Sequence, residues 1–212
     1  MRVVEGDDEA VLRDQRTYYD ARASEYDGAA WPADMVEVGD AFDRVPVHGD
    51  VLELAAGTGV WTERIVRGAR SLTVLDASAA MLDANRERLG AAAANVDYRI
   101  VDLFEWRPER QWDACVFGFW LCKVPDDRIG AFLAAVADAL RPGGVVCCVD
   151  KTASVEPATE LEDRTLDDGR RFTIIDHPRP PNRLVEVFAA SGLVVEVETF
   201  GSRFSLVSGT RR

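Results

Sequence analysis

The chain has 212 residues, 47% of them hydrophobic and 29% charged, enough length and apolar content for one sizeable globular domain. A formal net charge of -12 and a pI near 4.7 argue against a nucleic-acid partner, whose phosphates such a surface repels, and the doublets Arg170-Arg171 and Arg211-Arg212 are too small to form a basic patch. No apolar run approaches the roughly eighteen residues that span a bilayer, and the acidic start through Glu9 is unlike a signal peptide, so a cytoplasmic protein with no membrane partner is expected.

In chain order, residues 1 to about 45 form a segment outside the core, with Tyr18, Tyr19, Asp20, Tyr26 and Asp27 on an expected helix. The core follows over 46–151. Val51 to Leu54 is a short apolar strand carrying Glu53, after which Gly57-Thr58-Gly59 makes a tight turn and residues 60–66 read as a helix. Ser71 to Asp76 and Val96 to Val101 are two more strands, the latter followed by Asp102, so three consecutive strands finish in a carboxylate. Trp112 to Phe117 is the fourth strand. Asp126 to Arg141 is a helix with Ile129, Phe132, Leu133, Val136 and Leu140 on one face, and Pro142-Gly143-Gly144 stops it before the buried strand Val145 to Val149. Residues 152–181 form a second segment outside the core, with a strand or hairpin over 169–175 and the stiff loop His177-Pro178-Arg179-Pro180-Pro181. Residues 182–212 supply a helix over 184–191, a strand over 193–199 and its return over 204–208. This alternation predicts an α/β fold, a parallel sheet with helices on both faces. The cysteines 115, 122, 147 and 148 fall in or beside buried strands and read as small core residues, not as a disulfide framework or a metal site.

Glycines after a strand matter because a residue without Cβ admits unusual backbone angles and lets the main chain approach a ligand. An acid closing the second strand, Asp76, is placed to accept hydrogen bonds from ribose hydroxyls. The dinucleotide fingerprint is incomplete, since Thr62 stands where a third glycine belongs. No Gly-Lys-Ser/Thr phosphate loop exists either. Each piece alone has a plainer reading: Gly-x-Gly as a turn, a strand-terminal acid as the cap of the next helix. Their joint order favours a nucleoside cofactor.

The run Glu53-Leu54-Ala55-Ala56-Gly57-Thr58-Gly59, with residues 75–82, Asp102-Leu103, 112–117 and Leu140-Arg141-Pro142-Gly143-Gly144, resembles the class I S-adenosylmethionine-dependent methyltransferases over about residues 15 to 150. Ala55 replaces the first glycine of that family's turn, which is mild if its φ is negative. The resemblance implies a seven-stranded, Rossmann-like, mostly parallel sheet whose last strand is antiparallel, with S-adenosylmethionine as cofactor and S-adenosylhomocysteine as product. It implies that Glu53 orients the methionyl ammonium, that amides around Ala55, Gly57 and Gly59 line the methionine portion, and that Asp76, Ala77 and Met81 hold the ribose side. Asp102 and Leu103 would take the adenine, and Phe117, Gly118 and Phe119 would border the methionine. In related enzymes a Tyr-Tyr-Asp…Tyr-Asp helix covers the cofactor, which gives Tyr18 and Tyr26 that role here; packing of the helix is the alternative.

Methyl transfer from a sulfonium asks chiefly for alignment of nucleophile and methyl, and for a base only if the acceptor must lose a proton. His48 reads as a surface loop residue. His177 is the candidate catalytic base, set against the alternative of an exposed loop histidine. Trp31, Trp120 and Lys123 are candidates for the acceptor, the tryptophans equally for packing. Lys123 would pair either with an acidic acceptor or with Asp126 or Asp127. The expected function is methylation of a small organic molecule, in the setting of bacterial secondary metabolism, by a monomer or homodimer. A cofactor-binding module that transfers no methyl is the alternative, and a nicotinamide-dependent oxidoreductase is disfavoured.

Overall fold

The computed structural model describes residues 8–27, 32–155 and 161–212. In chain order the elements are α1 (Asp8–Arg22), α2 (Ala33–Phe42), β1 (Gly49–Leu54), α3 (Thr62–Ile65), β2 (Ala69–Asp76), α4 (Ala79–Leu89), β3 (Val96–Ile100) and β4 (Trp112–Gly118). They continue with α5 (Asp126–Ala139), β5 (Leu140–Lys151), β6 (Leu161–Thr165), β7 (Arg171–Ile175), α6 (Pro181–Ala190), β8 (Leu193–Phe200) and β9 (Phe204–Arg211). Seven strands form one sheet in the order β3-β2-β1-β4-β5-β9-β8, and β9 runs antiparallel to both of its neighbours. The remaining pair, β6 and β7, makes a separate antiparallel hairpin.

Strict alternation along the central strands divides the core into two layers. Leu52 and Leu54 of β1, Cys115 and Phe117 of β4, and Val146 and Cys148 of β5 join Ile129, Phe132 and Leu133 of α5 and Phe188 of α6 on one face. Val51, Val116, Cys147 and Val149 point the other way, onto Met35, Val38 and Phe42 of α2, Ile65 of α3 and Leu82 of α4. All four cysteines are free and buried, and the neighbours Cys147 and Cys148 divide between the two layers as their adjacency on a strand requires. Phe117 is fully enclosed, its ring edge-on to Phe132 and stacked on Phe188.

Three boundaries differ from expectation. The helix after the glycine turn is a single turn, Thr62–Ile65. The helix α5 ends at Ala139, and Leu140 already pairs with Trp112, so Pro142-Gly143-Gly144 sits inside an irregular entry to β5 where the register shifts. The final strand runs on to Arg211, with Gly209 held so close to Val194 that a Cβ there would lie 2.0 Å from its carbonyl oxygen.

The strand order reverses between β1 and β4, and at such a switch point the loops leaving the carboxyl ends of the strands diverge and open a crevice. Helix α1 contributes Gln15, Arg16 and Tyr19 to its lining. Helix α1 packs on β7, with Tyr18 buried among Leu166, Phe172 and Ile174. Two α1 side chains bond the β7 backbone: Asp14 accepts from the Thr173 amide at 2.7 Å, and Gln15 accepts from the Ile175 amide at 3.0 Å. Among the described residues no helix is long and apolar enough to cross a membrane.

Candidate functional site

The turn after β1 is shaped by three residues with left-handed backbone: Ala55 at φ 50°, Gly57 at φ 55° and Gly59 at φ 92°. Only the two glycines take that conformation freely. The expectation of a negative φ at Ala55 is therefore corrected: the turn needs a left-handed residue there, and alanine holds it under strain. Ala55→Gly is expected to raise stability by roughly 0.5–1 kcal/mol, read by denaturant unfolding, with little change in ligand affinity. A rise in neither stability nor thermal midpoint would mean the turn carries no strain.

Gly57 and Gly59 serve different ends. A Cβ at Gly57 would meet nothing within 4 Å, and the residue lines a cavity at the switch point. A Cβ at Gly59 would lie 2.7 Å from Asn85 of α4, so that glycine permits packing, and it does not line the cavity.

Asp76 closes β2 at the cavity's edge, where its carboxylate accepts from the Gly57 amide at 2.8 Å and the Ser78 amide at 2.9 Å. Burial pushes its pKa up, and those two amides work against the rise. Ser78 then caps α4, accepting from the Met81 amide at 3.1 Å, and this places Ala77 and Met81 on the cavity wall. Across from them stand Asp102 and Leu103. One Asp102 oxygen accepts from the Phe104 amide at 3.0 Å and the other takes the Arg16 guanidinium of α1.

The far wall comes from the end of β4 and the short helical turn Leu121–Lys123. Gly118, Phe119, Trp120 and Lys123 line it, Phe119 with φ 53° as the chain turns out of the sheet. The roof is Gln15, Arg16 and Tyr19 of α1, with Tyr26 just beyond it. Burial pushes both tyrosine hydroxyls up, Tyr26 to about 12, so neither serves as a base near neutrality.

Glu53 is buried beneath this turn region, 1% exposed. Burial raises its pKa to about 8; Thr62 offsets part of the rise and Asp76 adds to it. A carboxyl buried in an apolar strand is costly to keep charged, and a nearby cation would offset that cost. The cavity thus gathers Asp76, Asp102, Leu103 and the Gly57 turn, with Glu53 buried beneath that turn.

Several expected site residues stand elsewhere. Tyr18 faces the β6–β7 hairpin and its neighbour Tyr19 faces the cavity. Phe117 belongs to the core, leaving Gly118 and Phe119 at the cavity. Glu53 and Gly59 support the turn from behind and do not line the cavity. Trp31 lies outside the described residues. His177 is not an exposed loop residue and does not line the cavity: it is 1% exposed, its amide donates to the Cys122 carbonyl at 2.7 Å, and its Nδ1 is 3.7 Å from Asp126. Arg179 anchors the same loop, donating to the carbonyls of Leu121 and Val124 and to Asp126. With Asp126 so engaged, Lys123 turns to neither Asp126 nor Asp127. Its partner is Asp176, at 3.0 Å. Gln15, Arg16, Ser78 and Phe104 were not singled out from sequence, although Ser78 stands as a helix cap two residues after Asp76.

The family model of a methyltransferase domain matches residues 51–144. The DhpI-SAM-HEP complex superposes with a TM-score of 0.85 and 38% identity, covering 94% of this chain and 97% of that one. A DhpI-SAH complex gives 0.84 and 39%, covering 96% and 98%. A Burkholderia thailandensis 1,6-didemethyltoxoflavin-N1-methyltransferase shares the fold at a TM-score of 0.71 and 15% identity, over 100% and 93% of the two chains. The demethylmenaquinone methyltransferase of Tropheryma whipplei (strain Twist) is 34% identical over 100 residues, 46% of this chain, so the matched region spans 41% of that curated relative's length. The glycine turn, the acid-ended strands and the sheet order agree with these likenesses, and the chain belongs to the class I S-adenosylmethionine-dependent methyltransferases.

Proposed function

We propose that the chain transfers a methyl group from S-adenosylmethionine to a small organic acceptor. The observation that carries this reading is the one cavity that Asp76, Asp102 and the Gly57 turn line together with Trp120 and Lys123, which gives room for a nucleoside and an acceptor side by side. When bound, the cofactor supplies an activated sulfonium methyl. The chain's own residues then have modest tasks: Asp76 and Asp102 fix the nucleoside, Glu53 balances the charge of the tail, and the aromatic surfaces of Tyr19, Phe104 and Trp120 exclude water and hold the acceptor in line. Support for an acceptor of low molecular weight comes from α1, which roofs the cavity and is itself packed on the β6–β7 hairpin. The small-molecule methyltransferases among the likenesses point the same way. A cytoplasmic place, a role in bacterial secondary metabolism and a monomeric or homodimeric state complete the reading.

Titration calorimetry with S-adenosylmethionine, S-adenosylhomocysteine and NAD, each alone, tests it. Micromolar binding of both sulfur nucleosides and none of NAD is expected. NAD binding, or no binding at all, would overturn the reading.

A further inference from the structure

The chain has 25 basic residues, and only Lys123 and Lys151 are lysines. Both end on one carboxylate, Asp176, which lies in the loop between β7 and α6. Lys123 is 5% exposed and lines the cavity, and among the described residues its ammonium makes one side-chain hydrogen bond, to Asp176. An ammonium has three donors, so two N–H groups remain at a buried position where unmet donors are costly. The adjoining Trp120 lines the same cavity, and its indole N–H is buried without a partner.

Acceptor atoms that could satisfy these donors are already committed. Asp150, also close to Lys123 electrostatically, spends its oxygens on the amides of Cys122 at 3.2 Å and Lys151 at 2.7 Å, and burial pushes its pKa up. The Gln15 amide bridges the Lys123 carbonyl and the Ile175 amide. The acceptor end of the cavity is therefore rich in hydrogen-bond donors and short of oxygen lone pairs, with two ammonium groups drawing on one shared carboxylate.

We propose that Lys123 and the Trp120 indole N–H form a subsite for an oxyanionic group of the methyl acceptor, a carboxylate or a phosphate-type group. Lys151 and Asp176 act as positioning residues: they hold the Lys123 ammonium at the cavity floor and keep its charge from being fully cancelled. This inference rests on the methyltransferase reading for the acceptor's identity, but the anion subsite is measurable without turnover.

Inorganic phosphate and acetate are titrated separately by calorimetry at constant ionic strength, into the chain alone and into the chain loaded with S-adenosylhomocysteine. Saturable binding of at least one anion is expected; preference for phosphate or for acetate identifies the kind of group. Lys123→Gln leaves Asp176 paired one to one with Lys151, so the variant strands no charge. It should weaken anion binding at least tenfold and S-adenosylhomocysteine binding by less than twofold. Trp120→Phe, which keeps a ring and removes the N–H, should weaken anion binding about threefold to tenfold. Absence of saturable binding by both anions, or binding unchanged in Lys123→Gln, would overturn the subsite. Failure of S-adenosylhomocysteine to bind would instead strike the cofactor reading, while the titration of the unloaded chain still decides the subsite.

Discussion

Replacing Asp76 by Ala is expected to weaken S-adenosylhomocysteine binding by about 100-fold, which calorimetry measures directly. Two effects combine. The variant loses the carboxylate that would receive the ribose hydroxyls, and a hydrogen bond to a charged group contributes about 1.5–3 kcal/mol, where 2.7 kcal/mol corresponds to 100-fold in affinity. It also releases the Gly57 amide, now fixed at 2.8 Å by the same carboxylate, so the glycine turn loses the contact that joins it to the end of β2. Asp76→Asn separates the two effects. It keeps the size and one oxygen acceptor, and should cost about tenfold. A loss below threefold in the Ala variant would remove Asp76 from the binding role.

The strands and the acid-ended pattern were legible because a central parallel strand is buried on both faces and shows itself as a short apolar run, interrupted only by Glu53 in Val51 to Leu54 and unbroken in Val145 to Val149. Residues whose direction depends on contacts distant in sequence were not. Tyr18 and Tyr19 are adjacent on one helix. Which of them faces the cavity is decided by Leu166 and Phe172 of the hairpin, about 150 residues further on, which take Tyr18. Phe119 shares strand parity with Phe117, but β4 ends at Gly118 and the left-handed backbone at Phe119 carries its ring to the other layer, edge-on to Phe204, where the residue also borders the cavity. The proline-rich loop had the composition of an exposed segment; the Arg179 guanidinium draws it inward by bonding carbonyls at Leu121 and Val124, and His177 is buried with it. For Lys123 the nearest acids in sequence lost to Asp176, because Arg179 had already claimed Asp126. In each case short-range sequence pattern set the element, and a long-range partner set the side chain.

Glu53→Gln should move stability and cofactor affinity in opposite directions, with pH as the readout. The folded-state pKa of about 8 lies above the ordinary carboxyl value of 4.5, because burial disfavours the charged form. Between those pH values the unfolded chain is ionised at this position and the folded chain holds a proton. The contribution of Glu53 to stability is therefore fully present below about pH 4.5, declines from there, and is lost as pH rises through about 8. A shift of that size corresponds to about 3–5 kcal/mol, from which the cost of a buried, unpartnered amide, about 1–3 kcal/mol, must be subtracted. The Gln variant should thus be more stable than the native chain by roughly 1–3 kcal/mol at pH 9, and equal or less stable at pH 5. Binding should behave otherwise. If Glu53 balances the cationic tail, the native chain binds S-adenosylmethionine more tightly as pH rises from 6 to 8 and releases a proton on binding, whereas the Gln variant binds about tenfold more weakly with a flat profile. Equal pH slopes in the two proteins would show that Glu53 stays neutral in the complex, and its carboxyl would then serve the turn alone.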